Sequence, residues 1–175
     1  NFLKAFDASA KKYPNVALYV GQVISATGGY ISACRAVEYA IGQDLFKSGM
    51  SRQGIIFVAP GCASMYRSKI LKKLDFDGDT LAEDMDLTMQ VQRMKEKIIY
   101  VPDAKVITQD PGSIKDYTKQ VTRWFRGTWQ VMLKHKVFGF TKKQKVDWTM
   151  LFLMLDALIF NRFIWWAAAV WIFSF

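Results

Sequence analysis

The sequence predicts an α/β domain that ends in a long apolar tail. Three observations carry that reading. Strand-like and helix-like stretches alternate along most of the chain. At 175 residues and 51% hydrophobic, the chain can bury a sizeable core. The last 28 residues, from Trp148 to Phe175, contain only Asp156 and Arg162 as charged groups.

The elements follow in order. "NFLKAFDASAKKYPN" reads as an amphipathic helix with Leu3, Phe6 and Ala10 on one side. "VALYVGQVI" (16–24) is β-rich and ends at Thr27-Gly28-Gly29. "YISACRAVEYAIGQDLF" (30–46) has helical spacing, and "IIFVAPG" (55–61) reads as a buried strand stopped by Pro60-Gly61. "SKILKKL" (68–74) is a short helix and "DFDGD" (75–79) a loop. A helix is predicted over 83–97, with Leu87, Val91 and Met94 at its apolar positions. Two short strands should flank Pro102-Asp103, and a long helix should run over 113–136.

Charge and composition narrow the function. The formal net charge is +9 and aromatics make up 15%, with a pI of about 9.6. Such a chain suits nucleic acid, a membrane surface or a phosphate-bearing substrate. Two cysteines, Cys34 and Cys62, and one histidine, His135, exclude most zinc arrangements and argue against a disulfide scaffold. A reduced compartment is the default. The N-terminus lacks the pattern of a signal peptide. Both ends look cut, so the chain reads as a fragment of something longer.

The tail points to a bilayer. As one helix it would be about 42 Å long, against a hydrocarbon core of about 30 Å. One tilted span, or an interfacial helix followed by a truncated span, would fit, and a buried core helix is the alternative. Trp165, Trp166 and Trp171 suit a membrane interface, and the lysines of "KHKVFGFTKKQK" would place the preceding domain in the cytoplasm. The same lysines could hold anionic headgroups.

Two stretches can carry chemistry. In "QVTRW", Gln120, Arg123 and Trp124 fall at i, i+3 and i+4, which predicts one shared helix face. Arg can grip a phosphate bidentately, Gln can hydrogen-bond it, and Trp can stack on a sugar ring. An exposed polar stripe is the plainer alternative. In "TLAEDMDLT", Thr80 and Glu83 fit a capping box with Thr80 as N-cap. That pattern explains Asp84 less well, and a carboxylate held ionised by the helix dipole can serve as a general base. "DFDGD" resembles the start of a calcium loop, but Thr80 stands where that loop needs Gly, so a turn at Asp77-Gly78 is expected. Gly61 in "PGCASMYR" allows a close backbone approach to a ligand, or is an ordinary turn glycine. Cys62 is a poor nucleophile candidate, since His135 is its only possible histidine partner.

Taken in order, "APGCASMYR", "AEDMDLT", "YVPDAKVITQDPGSIKDYTKQVTRWFRG" and the apolar tail resemble the processive family 2 glycosyltransferases of membranes. That group includes cellulose, chitin, hyaluronan and poly-N-acetylglucosamine synthases. The resemblance covers nearly the whole chain and is strongest from Val58 to Gly127. It implies the C-terminal, acceptor-side part of a GT-A glycosyltransferase domain over 1–136. A basic juxtamembrane segment over 137–147 and a truncated transmembrane segment over 148–175 would follow.

The resemblance also implies roles. Asp84 matches the catalytic base, with Glu83 beside it. Gln120 and Arg123 match the donor-diphosphate part of the Gln-x-x-Arg-Trp motif, and Trp124 its acceptor part. Gly61 and Cys62 match a short loop and helix start near the acceptor. Cys62 stands where cellulose synthases carry Ser, and Ala82 where Thr often precedes Glu-Asp; both departures bear on polymer identity more than on reaction type. The family's Mg2+ or Mn2+ would be held by an Asp-x-Asp that no part of this chain matches, so its ligands are expected ahead of Asn1.

The implied reaction is inverting transfer from a nucleotide sugar, UDP-linked by expectation, to the hydroxyl end of a polysaccharide or glycolipid. It would take place at the cytoplasmic face of the membrane. A membrane-anchored carbohydrate- or nucleotide-sugar-binding module without catalysis is the rival reading. A nucleic-acid partner is not expected, because the lysines cluster beside the tail and no recognition motif is present.

Overall fold

Three strands form one sheet in the order β2-β1-β3. They belong to a computed structural model that describes residues 2–26, 28–76 and 78–138, with Trp148 and Leu151. β1 (Leu18–Ser25) pairs antiparallel with β2 (Ser64–Tyr66) and parallel with β3 (Ile98–Thr108). The β1–β3 register shifts between Gly21 and Gln22, so that Gly21 faces Val101 and Gln22 faces Lys105. Pro102 has no N–H to give the ladder, and the bulge absorbs that defect. The bulge also fixes Gly21, because a Cβ there would lie 2.4 Å from the Ala104 carbonyl oxygen. The two short strands expected around Pro102 are therefore one continuous strand with a bulge.

Alternation along β1 supplies both sides of the sheet. Leu18 and Val20 pack with Ile56, Ile70, Val91 and Ile98. Tyr19 packs with Phe6, Val16, Val101 and Ala104. Phe6 comes from α1 (Phe2–Lys12), whose Leu3 is exposed rather than sharing the predicted apolar side. The helix predicted over 30–46 is α2 (Tyr30–Tyr39), continued as a π-helical stretch Ala40–Lys47 and by α3 (Ser48–Arg52).

Residues 55–60 are not the strand that their β-rich composition predicts. Ile56 and Ala59 are buried as expected. Their backbone groups, however, are satisfied by helix side chains: Ala59 N–H donates to Thr88 Oγ1 at 3.0 Å, and the Gln92 amide donates to the Ile56 carbonyl. Those two groups are thereby taken by α5 and not left for a strand neighbour.

After the short α4 (Ser68–Leu71), α5 runs over Glu83–Arg93. It stops where Lys95 turns left-handed at φ 57°. α6 spans Ile114–Lys134. Ser113 caps it, accepting from Asp116 N–H at 3.1 Å and donating to the Asp116 carboxylate at 2.7 Å.

Packing divides the chain into a unit of residues 1–128 and a unit of residues 129–175. In the second, Val131, Met132 and Val137 are buried, and Trp129 stacks on Phe138 with ring centroids 6.0 Å apart. Among the described residues no helix is long and apolar enough to cross a membrane. The expected transmembrane or interfacial helix, the start of a membrane region, the lipid-bilayer partner and the integral-membrane placement are therefore not supported by the described residues. The basic segment 139–147, and the tail apart from Trp148 and Leu151, lie outside the described residues.

Candidate active site

The α5 N-terminus forms one wall of the site. The helix begins at Glu83 with Ala82 as N-cap, and no side chain caps it. The capping box predicted from Thr80 is therefore not formed, because the helix starts three residues beyond Thr80 and Glu83 occupies its first position. Asp84 takes over part of the capping work: Met85 N–H donates to its Oδ1 at 2.8 Å. Glu83 is exposed, whereas Asp84 is half-buried.

Burial raises the Asp84 carboxyl above the usual carboxylate range, and neighbouring Glu83 adds to the rise. The N–H groups of Met85 and Gly61 oppose it without cancelling it. The predicted ease of ionisation is thus corrected: desolvation outweighs the donors at the helix start. A raised pKa also suits a base that must later release its proton.

Gly61 and Cys62 meet this carboxylate through a 3-10 turn, Gly61–Ala63. Gly61 N–H donates to the Asp84 carboxylate, and even a Cβ added on Gly61 would come no closer than 4.0 Å to the Asp84 Cβ. Cys62 is a free, exposed thiol. Thr88 fixes the arrangement, donating to the Asp84 carbonyl at 2.6 Å while accepting from Ala59 N–H. Two further groups were not singled out from the sequence. Burial pushes Lys47 down to about 7, against the pull of Asp84 and Cys62. Its Nζ has no hydrogen-bond partner among the described residues. Burial pushes Tyr66 up to about 12, with Asp84 adding and Thr88 opposing. Neither stands in a sequence pattern that marks it.

α6 forms the second wall. Gly127 brings it close: a Cβ there would lie 2.6 Å from Ala82 Cβ and 2.8 Å from Ala82 N. A glycine inside a helical pattern is the sequence signal for such an approach. Arg123 is exposed and lines a cleft of about 380 Å³ with Leu81, Thr118, Lys119, Thr122 and Arg126. Trp124 is half-buried, its ring 5.0 Å from the Arg35 guanidinium. Gln120 is half-buried as well, and its Oε1 has no partner among the described residues. The single face predicted for Gln120, Arg123 and Trp124 is thus divided. Arg123 looks into a basic cleft, while Trp124 rests on a buried cation. One residue step on a helix turns about 100°, which suffices to separate them.

Among the described residues no group of three or more His, Cys, Asp or Glu side chains is placed to hold a metal ion. The described residues thus offer no ligand set for the expected Mg2+ or Mn2+.

A mixed α/β sheet with an acidic helix start against a basic helix defines a domain consistent with a GT-A-like glycosyltransferase fold. The family model described as glycosyl transferase family group 2 matches residues 1–175, and the chain belongs to that family. It is similar to an N-acetylglucosaminyltransferase of Rhizobium meliloti (strain 1021), at 28% identity over 70% of this chain and 32% of the relative. It is also similar to the probable glycosyltransferase YdaM of Bacillus subtilis (strain 168), at 31% identity over 71% of this chain and 30% of that protein. A probable glucomannan 4-beta-mannosyltransferase 6 of Oryza sativa subsp. japonica shares 28% identity over 59% of this chain and 18% of its own. The chain thus spans about a third or less of the curated relatives it matches.

Proposed function

We propose that this chain supplies the acceptor-side half of an inverting glycosyltransferase site, moving a sugar from a nucleoside-diphosphate donor to a carbohydrate hydroxyl. The observation that carries the reading is the close approach of α6 to the start of α5, with Gly127 set against Leu81-Ala82. It sets the half-buried Asp84 near a helix that bears Arg123 and its basic cleft.

In this reading Asp84 accepts the proton of the acceptor hydroxyl. The acceptor oxygen bonds to the anomeric carbon as the bond from that carbon to the diphosphate breaks. Arg123, with Lys119 and Arg126 beside it in the cleft, neutralises the charge that builds on the leaving diphosphate. Trp124 orients the acceptor sugar, and Gly61 and Cys62 border it. Gln120 offers its amide to the donor. The Mg2+ or Mn2+ implied by the family would be held by residues other than these.

The relatives' names guide the donor. An N-acetylglucosaminyltransferase and a probable glucomannan mannosyltransferase both match, so nucleotide-linked N-acetylglucosamine, with UDP as the expected carrier, and nucleotide-linked mannose come first. The intact protein should be offered each radiolabelled sugar nucleotide, with label incorporation and the anomeric configuration of the product measured. Incorporation with inversion is expected. Retention of configuration would overturn the single displacement with Asp84 as its base, and nucleotide binding without transfer from any donor of the panel would replace this reading with a binding role.

A further inference from the structure

Arg35 is an enclosed charge: its side chain is 1% exposed, on a helix whose other residues are mostly exposed. Three aromatic rings surround the guanidinium. Its Cζ lies 4.3 Å from the Tyr39 ring, 5.5 Å from Tyr117 and 5.0 Å from Trp124. Two carboxylates balance it, Glu38 at 2.6 Å and Asp110 at 3.8 Å. Asp110 is itself 1% exposed and accepts from the Ser25 hydroxyl at the end of β1.

A buried ion pair of this kind adds little net stability compared with apolar packing of the same volume. It does define geometry. A planar guanidinium that donates to the Glu38 carboxylate and the Tyr39 hydroxyl, with the Asp110 carboxylate near its Nε but beyond hydrogen-bond reach, presents its faces in set directions, which a lysine ammonium does not. Trp124 meets that guanidinium and is still only half-buried, so part of the indole stays open to solvent.

We infer that Arg35 is a positioning residue for Trp124, holding the indole at the angle at which it receives the acceptor sugar. The inference rests on the acceptor role proposed for Trp124. Arg35 touches no substrate in this account and acts only through the ring.

The test compares Arg35→Lys, Arg35→Met, Trp124→Ala and the Arg35→Met/Trp124→Ala pair in the intact protein. UDP-N-acetylglucosamine is the donor and an N-acetylglucosamine tetramer the acceptor. Acceptor KM, kcat and the calorimetric Kd for UDP are measured on each. Arg35→Lys and Arg35→Met should raise the acceptor KM roughly tenfold, the scale of one desolvated cation–π contact, with UDP affinity unchanged. In the Trp124→Ala background, Arg35→Met should add nothing further, because the two act as one unit. Should Arg35→Met fail to fold, Arg35→Lys still decides, since it keeps the buried charge and loses only the planar face. A folded Arg35 variant with wild-type acceptor KM overturns the inference, as do effects of the two residues that simply multiply. If Trp124→Ala alone leaves the acceptor KM unchanged, the acceptor role of Trp124 falls first and the inference with it.

Discussion

Two roles meet at Asp84, the capping contact it makes and the base role proposed for it. Its carboxylate accepts a first-turn N–H, as a cap does, and faces the Gly61–Cys62 turn, as a base would. Substitution separates the roles. Asp84→Asn keeps the shape and one acceptor oxygen but cannot take a proton, so transfer should fall about 10²–10⁴-fold while UDP affinity holds. Stability should move the other way. The Asp84 pKa is raised on folding, chiefly by burial, so the folded chain binds that proton more tightly than the unfolded chain. Stability then falls as pH rises from the unfolded value through the folded one, and above it the full cost of ionising a half-buried group is carried. Asp84→Asn should therefore melt higher than wild type at neutral pH, with the gap closing as pH drops into the ordinary carboxylate range. Paired melting curves across that window check the sign. Arg123 makes a simpler case: it is exposed in the basic cleft, so Arg123→Ala should leave the melting temperature alone. Loss of one charge-assisted contact, about 1.5–3 kcal/mol, should weaken UDP binding roughly 10- to 100-fold, read by calorimetry. The acidic pair and the Gln-x-x-Arg-Trp motif were legible in the sequence because each is local. Arg35 was not, since the groups that define its surroundings lie as far along the chain as Asp110, Tyr117 and Trp124.

The helices were the most legible elements, and their ends the least. α5 and α6 lie within the stretches that their apolar spacing predicts, but α5 ends at Arg93, short of the predicted 97. The reason is Lys95 at φ 57°: the chain leaves the helix through a left-handed residue, with Lys95 N–H donating to the Gln92 carbonyl and Glu96 N–H to the Val91 carbonyl. A lysine marks no such turn in a sequence, where glycine would. Lys95→Gly should accordingly stabilise the protein by about 1 kcal/mol, the relief of a Cβ in the left-handed region. Thermal melting of the intact protein reads this, and an unchanged or lowered midpoint would show that the lysine side chain contributes more than its backbone costs. Residues 55–60 failed as a strand for a related reason. Composition reports that Ile56 and Ala59 want burial, but not that Thr88 and Gln92 on α5 will satisfy their backbone.

In the first unit α6 lies against the residues just ahead of α5: Leu81 lines the Arg123 cleft and Gly127 packs on Ala82, two residues before Asp84. Pattern reading found both motifs but could not supply their separation, which depends on how α6 lies against the residues ahead of α5. Gly127 sets it. A Cβ on Gly127 would come within 2.6 Å of Ala82 Cβ, 2.8 Å of Ala82 N and 2.9 Å of the Leu81 carbonyl carbon. Two of those atoms are backbone and cannot rotate away, so in Gly127→Ala one helix must shift against the other. The stability change has opposing parts. Overpacking costs about 1–3 kcal/mol, while alanine gains about 1 kcal/mol over glycine inside a helix, so a modest net loss is expected. Activity has no such offset. A displacement near 1 Å between a base and a diphosphate-binding group can cost about 10²-fold in rate. Gly127→Ala in the intact protein should therefore lose far more transfer activity than its melting temperature explains. Adding Ala82→Gly removes the Cβ–Cβ clash but not the two backbone contacts, so it should restore part of the rate and not all of it. A Gly127→Ala protein with wild-type kcat and UDP affinity would show that the approach of α6 to α5 does not set the geometry of the reaction, and Asp84 and Arg123 would then no longer belong to one site.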